Sequence, residues 1–352
     1  MEKSIRTSSK KNRQYKKLTL LDVAAAAGVS KSTVSRILDE RLPRSESNTA
    51  QRVRQVALEL GYVRDSSATN LRRGKTMTLG VIVPRLTDTV MSMFYESITQ
   101  AANQLHLFTI VAITDDKPEQ VRNAADRLLA QGVDGLILTT ARNDDDFPSE
   151  LRSRSVPFVL ALRTDGCSPS SIGDDELGGY LAARHLLDLG HTQIGLIGGP
   201  EFASSAQMRV EGFRKALTDA GVTLNPELHL PSTFGIESGA EVAGEILRKN
   251  DQITAIFAVN DNTAIGALSA IHRLGLQVPH DISVVGYNDI PLVSLLPVPL
   301  TTVRVPFHQI AKNALDLILS QHHESTVKMA TPTLIPRNTT TRCPNLYAAN
   351  IK

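Results

Sequence analysis

From residue 76 onwards, the chain alternates short, strongly apolar runs with longer stretches of helical period. The runs are TLGVIVP, FTIVAIT, DGLILTT, PFVLAL, QIGLIGG, AIFAVND, ISVVGYND and LTTVRVP. Runs rich in Val, Ile and Leu between amphipathic helices are typical of buried parallel strands in βαβ units. They are too many for one ordinary sheet, so we predict an α/β body of two doubly wound lobes. A ligand is expected in the crevice beyond the carboxyl ends of the strands.

Residues 18–38 carry a different pattern, LTLLDVAAAAGVSKSTVSRIL, which predicts two short helices joined by a tight turn at Gly28. Thr19 and Ser30 are suited to cap these helices, because their hydroxyls accept hydrogen bonds from first-turn N–H groups. A third helix is predicted over about 47–60. The side chains predicted to pack inwards are Leu21, Ala24, Ala25, Val34, Ile37, Leu38, Val53, Val56, Ala57 and Leu60.

The second helix should expose a polar face. Its outward residues are Lys31, Ser32, Thr33, Ser35 and Arg36. Such donors are suited to DNA phosphates and to guanine edges, and two helices around a tight turn are typical of a helix-turn-helix domain. The alternative is a solvated helix of a small bundle that binds no DNA.

Charge divides the chain in the same place as the pattern. Residues 1–75 hold 17 Lys and Arg against 7 Asp and Glu, whereas the remainder holds 21 against 29, although the whole chain is only +2. A basic module joined to an acidic body favours a polyanionic partner for the module. Residues 1–17 read as a basic, disordered tail.

Several function classes find little support in the sequence. No apolar run approaches the ~20 residues that cross a bilayer, and no apolar segment follows the basic tail as in a signal peptide, so we expect a cytoplasmic protein without membrane contact. Cys167 and Cys343 lack metal-site spacing and are expected to be free thiols. No catalytic constellation stands out, IGLIGGP lacks the nucleotide-binding glycine patterns, and the acidic run 143–146 reads as a solvated loop. We therefore predict no enzyme activity, metal or cofactor.

The stretch TLLDVAAAAGVSKSTVSRIL resembles the amino-terminal signature of the LacI/GalR family of bacterial repressors. The resemblance continues through RVRQVALELGYVRDSSATNLRRGKTMTLGVIVP. The later blocks GYLAARHLLDLGHTQIGLIGGP, AIFAVNDNTAIGALSAI, ISVVGYND and LTTVRVP follow in order, to about residue 342. The resemblance implies that the protein is a repressor with a helix-turn-helix domain and a two-lobed body of periplasmic-binding-protein type. Such a repressor binds operator DNA and a small effector.

The resemblance also implies roles for residues that face DNA. Lys31 and Ser32 take the two base-reading positions at the start of the recognition helix, and Arg36 takes that of a base-contacting arginine. Thr33 and Ser35 fall where phosphates or base edges are contacted, and Thr19 matches a capping residue that contacts phosphate.

Residues 64–75, RDSSATNLRRGK, match a hinge that folds only on operator DNA. Ala68 and Leu71 take the positions that enter the minor groove, where Leu71 would wedge into a base step. The alternative reading is a disordered linker, because so short a helix is marginal in water.

In the cleft, the resemblance makes Arg209, Asn260 and the aromatic Phe234 effector-binding residues. The family pattern is altered at Val90 and Met91, at Arg163 beside Leu162, and at Asn288, which replaces an Asp. These changes remove acidic hydroxyl-binding groups and keep arginine, so we expect a positive, partly apolar cleft. The effector is expected to be a sugar, a sugar acid or a nucleoside-like molecule, with a preference for anionic or less hydroxylated ligands.

The predicted domains follow from these assignments. They are a tail at 1–17, a DNA-binding domain at 18–63, a hinge at 64–75, a first lobe at 76–173 with 303–330, a second lobe at 174–302 with 331–342, and a tail at 343–352. The helix near 91–105 carries Phe94, Ile98, Ala101, Ala102 and Leu105, which is more apolar surface than one layer of strands needs to cover. The resemblance places this helix at a homodimer interface. A transporter-associated solute-binding protein and a doubly wound enzyme remain as alternatives.

Overall fold

The computed structural model describes residues 18–39, 42–62, 75–320 and 325–344. The chain forms two compact units, residues 1–76 and 77–352. The basic tail, most of the hinge with Ala68 and Leu71, and the end of the carboxyl-terminal tail lie outside the described residues.

The first unit is built from three helices, α1 (Leu20–Ala27), α2 (Lys31–Ile37) and α3 (Asn48–Leu60). Its core consists of Val23, Ala24, Ala27, Val34, Val53 and Ala57. Thr19 and Ser30 cap α1 and α2 as predicted, and Gly28 adopts the left-handed conformation (φ 64°) that the turn requires. Of the residues predicted to pack inwards from α1, Ala24 is buried, whereas Leu21 and Ala25 are exposed and Val23 and Ala27 are buried instead; Leu60 of α3 is also exposed.

The second unit contains two six-stranded sheets, and its first lobe is a wholly parallel sheet with the strand order β11-β5-β4-β3-β1-β2. The strands are β1 (Thr78–Val83), β2 (Phe108–Ile113), β3 (Gly135–Leu138), β4 (Phe158–Ala161), β5 (Ser170–Gly173) and β11 (Val327–Ala330). The helices of this lobe are α4 (Thr89–Gln104), α5 (Pro118–Ala130), α6 (Phe147–Ser153) and α11 (Phe307–Leu319).

The second lobe repeats this plan with the order β12-β10-β9-β8-β6-β7, in which only β12 runs antiparallel. Its strands are β6 (Ile194–Ile197), β7 (His229–Leu230), β8 (Ala255–Ala258), β9 (Ser283–Asn288), β10 (Thr301–Arg304) and β12 (Thr333–Ile335). Its helices are α7 (Asp175–Asp188), α8 (Ser204–Asp219), α9 (Ile236–Lys249) and α10 (Asp261–Arg273). The prediction of two doubly wound lobes is confirmed.

The chain passes between the lobes three times. It leaves β5 for α7 at residue 174, leaves β10 for α11 at 305–306, and leaves β11 for β12 at 331–332. Val303 and Arg304 still pair with Tyr287 and Asn288 in the sheet of the second lobe, so the second passage begins just after Arg304, within a few residues of the predicted 303.

Helix α4 does not present the apolar face that its sequence suggested. Phe94, Ile98 and Ala102 are fully buried in the core of the first lobe, where α4 packs against β2 and α11. The exposed apolar side chains lie beyond the helix, at Leu105 and on the edge strand β2, at Phe108 and Ile113. Among the described residues, no helix is both long and apolar enough to cross a membrane.

Candidate functional site

The recognition helix α2 presents the predicted polar side chains at its surface. Lys31, Ser32 and Arg36 are exposed, and Thr33 and Ser35 are half-buried beside the core residue Val34. All five stand on one short helix directly after the Gly28 turn, which is the arrangement that places side chains in a major groove.

Two hydroxyls fix the amino-terminal ends of α1 and α2. Thr19 Oγ1 and the Thr19 N–H both donate to a carboxylate oxygen of Asp22, at 2.7 Å each, in a capping box. Ser30 Oγ lies 2.8 Å from the hydroxyls of both Ser32 and Thr33 and accepts from the Thr33 N–H at 3.2 Å. Ser30, which the sequence marked only as a cap, therefore also orients two of the predicted DNA-facing side chains.

In the body, a cavity of about 460 Å³ lies at the carboxyl ends of strands from both lobes. All seven residues predicted to bind an effector line it, namely Val90, Met91, Arg163, Arg209, Phe234, Asn260 and Asn288. The volume is in the usual range for a small-molecule site.

Arg209 reaches the cavity from α8 and is held by three groups. Its Nε donates to Asp175 at 2.8 Å, its Nη1 donates to the Val259 carbonyl at 2.8 Å, and its guanidinium stacks 3.9 Å from the centre of the Tyr287 ring. The Tyr287 hydroxyl donates to the same Asp175 oxygen at 3.0 Å. Burial raises the pKa of Asp175, and the charge of Arg209 opposes that shift. Since an arginine stays charged in proteins, the two side chains form a buried ion pair.

Asn260 is committed to local structure. Its Oδ1 accepts from the Thr263 N–H at 2.8 Å and so caps α10, and its Nδ2 donates to the Phe234 carbonyl at 3.0 Å. This second bond holds Phe234 in its left-handed conformation (φ 68°), with the ring at the cavity. Asn260 thus positions Phe234, with both ends of its amide already paired.

Asn288 and Ser205 differ from Asn260, because neither side chain forms a hydrogen bond with any described residue. Both are buried and both line the cavity. Because their polar atoms bond to no described residue and border the cavity, these two side chains are available to a ligand. Asp88 adds a carboxylate that accepts from the Val90 N–H at 3.0 Å through one oxygen only.

The prediction that the cleft has lost its acidic groups was wrong. Four aspartates line the cavity, at positions 88, 115, 116 and 175, against the five cations Arg85, Lys117, Arg142, Arg163 and Arg209. Arg163 is bound at two points by Asp116, at 3.0 Å each, as Arg209 is paired with Asp175. Asp88 follows β1, and the other three aspartates follow β2 and β5. In the sequence, the signal was the acidic pair after each of those two strands, Asp115-Asp116 and Asp174-Asp175.

Backbone strain gathers around the same cavity. Of the nine non-glycine residues with positive φ in the described chain, five line it: Asp115, Asp116, Leu162, Phe234 and Asn288. Such conformations cost of order 1–3 kcal/mol each and cluster at functional sites. The strand ends are therefore shaped to aim side chains into the cavity.

Known families match both units of the chain. Residues 19–65 match the lacI family of bacterial regulatory proteins, and residues 183–340 match a periplasmic binding protein-like domain. The chain is 35% identical to the HTH-type transcriptional regulator DegA of Bacillus subtilis (strain 168) over 298 residues, which cover 83% of this chain and 88% of DegA. It is 31% identical to the HTH-type transcriptional repressor PurR of Vibrio vulnificus (strain CMCP6), over 91% of this chain and 98% of that repressor.

A solved structure extends the similarity to the fold. The lac repressor dimer bound to operator and the anti-inducer ONPF superposes with a TM-score of 0.82 at 31% identity, over 93% of this chain and 100% of that one. The helix-turn-helix unit and the two-lobed body agree with the relatives that the chain resembles. The chain therefore belongs to the LacI family of helix-turn-helix transcriptional regulators.

Proposed function

We propose that this regulator is a repressor whose affinity for operator DNA is controlled by a small molecule bound between the two lobes. The proposal rests on the cavity itself, where the side chains of Asn288 and Ser205, which form no hydrogen bond with a described residue, border a space large enough for a ligand. The similar lac repressor structure, which contains operator and an anti-inducer, supports the combination of the two functions.

The groups left for the effector favour a neutral, hydroxylated molecule over an anion. Arg163 and Arg209 each already neutralise an aspartate of the cavity, and Arg142 is paired with Asp144. The two cations that remain, Arg85 and Lys117, are balanced in number by Asp88 and Asp115. The groups available to hydroxyls are the Asn288 amide, the Ser205 hydroxyl and one oxygen of Asp88, beside the apolar surface of Val90, Met91 and Phe234. Among sugars, sugar acids and nucleoside-like molecules, we therefore place neutral sugars and nucleosides before sugar acids.

On DNA, we propose that Lys31, Ser32 and Arg36 read bases and that Thr19, Thr33 and Ser35 position the helix on the backbone. The hinge, with Ala68 entering the minor groove and Leu71 wedging there, stays a prediction. A homodimer is proposed to bind a pseudo-palindromic operator, and its site of action is the cytoplasm, where that DNA lies.

The dimer is proposed to use the exposed apolar edge of the first lobe. Strand β2 is the outermost strand of its sheet, and Phe108 is 67% exposed there beside Leu105 and Ile113. An exposed edge strand with apolar side chains offers both backbone groups and apolar surface to a second copy.

Arg36→Ala tests the assignment of the recognition helix. An operator is first selected from random duplexes with the wild-type protein, and binding is then compared with that to a scrambled duplex. The substitution should cost about 1–3 kcal/mol on the operator and relax specificity at one base pair of each half-site. Arg248→Ala, an exposed arginine of the body, is the control. An unaltered ratio of specific to scrambled binding for Arg36→Ala would remove Arg36 from base readout.

A further inference from the structure

Away from the three chain passages, every hydrogen bond between the lobes among the described residues lies at one corner of the cleft. The Asn143 N–H donates to the Phe202 carbonyl at 3.0 Å, and Asn143 Nδ2 donates to Gln207 Oε1 at 2.7 Å. The Thr164 N–H donates to Ser204 Oγ at 3.0 Å. The first lobe thus supplies the loops after β3 and β4, and the second supplies the segment that enters α8.

The same corner contains an aromatic contact between the lobes. The ring of Phe202 lies under the guanidinium of Arg142, and Arg142 Cζ is 3.6 Å from the ring centre. Arg163 Cζ lies 5.5 Å from the same ring centre. A guanidinium at this distance over a ring face makes a favourable cation–π contact.

Both arginines are held in place from their own lobe. Arg142 donates from Nε and Nη2 to the Asp144 carboxylate at 2.7 Å each, and Arg163 is bound at two points by Asp116. The ring of Phe202 therefore meets a surface that is already ordered, so that little side-chain freedom is lost when the contact forms.

The corner is well placed to resist opening. In the second lobe, β6, which leads to Phe202, lies three strands from β10, which leads to a chain passage. At a strand spacing of about 4.8 Å this is a lever of roughly 14 Å. A rotation about the passages would separate these contacts early.

Phe202 and Arg142 also line the cavity. We infer that Phe202, with Arg142, Asn143 and Gln207, forms a clasp that holds the two lobes closed over the cavity and governs their opening. This inference rests on the proposed function of the cleft, whose ligand would contact the same ring. Because the clasp consists of groups of the protein itself, it sets the equilibrium between open and closed lobes before any effector binds. A bound effector then shifts that equilibrium further.

The distance between the lobes tests the clasp without operator or effector. Spin labels are placed on the exposed native Cys167 of the first lobe and on a cysteine at the exposed Glu227 of the second (Glu227→Cys), in full-length protein diluted with unlabelled protein. The buried Cys343 is left unlabelled. Pulsed electron paramagnetic resonance then gives the distribution of distances between the lobes.

Phe202→Ala and Arg142→Gln should each raise the population at longer distances about three- to tenfold, as expected for the loss of one cation–π contact. The double variant should populate longer distances little more than either single variant does, because both substitutions remove the same contact. Arg154→Gln, which breaks an ion pair with Asp126 inside the first lobe, is the matched control and should leave the distribution unchanged.

An unchanged distribution in a folded Phe202→Ala protein would overturn the clasp. If that variant failed to fold, Arg142→Gln keeps the ring, and an unchanged distribution there would overturn the clasp equally. Operator titration of the same proteins separates the two proposals. If wild type and variants all bound no duplex specifically, the proposed function would fail while a shifted distance distribution would still establish the clasp.

Discussion

Two asparagines of the cleft use their amides differently, and this difference can be measured. The side-chain amide of Asn288 forms no hydrogen bond with a described residue, whereas that of Asn260 caps α10 and holds Phe234. We expect Asn288→Gly, which suits the positive φ of that position (112°), to leave unfolding stability close to wild type and to abolish stabilisation by an effector.

Asn260→Ala is the matched comparison, and it should lower the free energy of unfolding by about 1 kcal/mol through the lost cap. Thermal-shift curves with a library of sugars, sugar acids and nucleosides provide both readings. A ligand that stabilised Asn288→Gly as strongly as wild type would exclude the Asn288 amide from the site.

Arg209 is a structural residue as well as a cleft residue. The family resemblance alone suggests that Arg209→Ala would affect only the effector response. The ion pair with Asp175 changes this, because removing Arg209 leaves a buried carboxylate without its cation. We expect a loss of about 3–5 kcal/mol in chemical denaturation. Asp175→Asn with Arg209→Ala should recover part of it, and a single variant as stable as wild type would contradict the pairing.

At the scale of elements, the first turn of α10 makes stability depend on pH. Burial raises the pKa of Asp261 to about 7; hydrogen bonds from Thr302 Oγ1 and the Ile290 N–H oppose this shift, and Asp289 adds to it. Because the unfolded pKa is about 3.9, the folded protein binds this proton more tightly between the two values. The free energy of unfolding should therefore fall as pH rises from about 4 to about 7.

Urea denaturation across this range, for wild type and Asp261→Asn, isolates the effect. Burial lowers the pKa of His185, His191 and His229, which contributes the opposite slope below about pH 6.5 in both proteins. The difference between the two curves should thus change by a few kcal/mol with pH. Parallel curves would show that Asp261 titrates as in the unfolded chain.

The elements that the sequence pattern predicted are those with long apolar runs. The four strands that it missed, β5, β7, β11 and β12, are short or polar. Ser170–Gly173 contains one large apolar residue, and His229–Leu230 is only two residues long. Pairing with neighbours in the sheet, rather than local preference, makes these segments strands. For the same reason the burial of α4 was misjudged, since α11 returns from far along the chain to cover it.

The candidate site was predictable where strand ends supply it. Asn260 and Asn288 directly follow apolar runs, so their place in the cleft follows from topology. The different roles of the two amides do not follow from topology. They depend on Thr263 and Phe234, which the fold brings next to Asn260 and not next to Asn288. Phe202 was missed altogether, since its partner Arg142 lies in the other lobe and 60 positions earlier in the chain.

At the scale of the whole molecule, assembly can be tested on the two edges of one sheet. Phe108 on β2 and Met329 on β11 are exposed at opposite edges of the first lobe, at 67% and 58%. Phe108→Lys should convert the proposed dimer into monomers at micromolar concentration, because it places a charge in an apolar interface. Met329→Lys should remain dimeric, and light scattering distinguishes these outcomes. A wild-type monomer or tetramer, or a dimeric Phe108→Lys, would refute this interface.

We propose that a ligand bound in the cleft changes the affinity of the protein for its operator. The most direct measurement is an equilibrium titration of the selected operator with wild-type protein, with and without a saturating compound whose thermal stabilisation is lost in Asn288→Gly. We expect operator affinity to change about 5- to 150-fold, the usual range of coupling between two sites, and not to change in Asn288→Gly. An operator affinity that stayed the same while the compound occupied the cleft of the wild-type protein would contradict it.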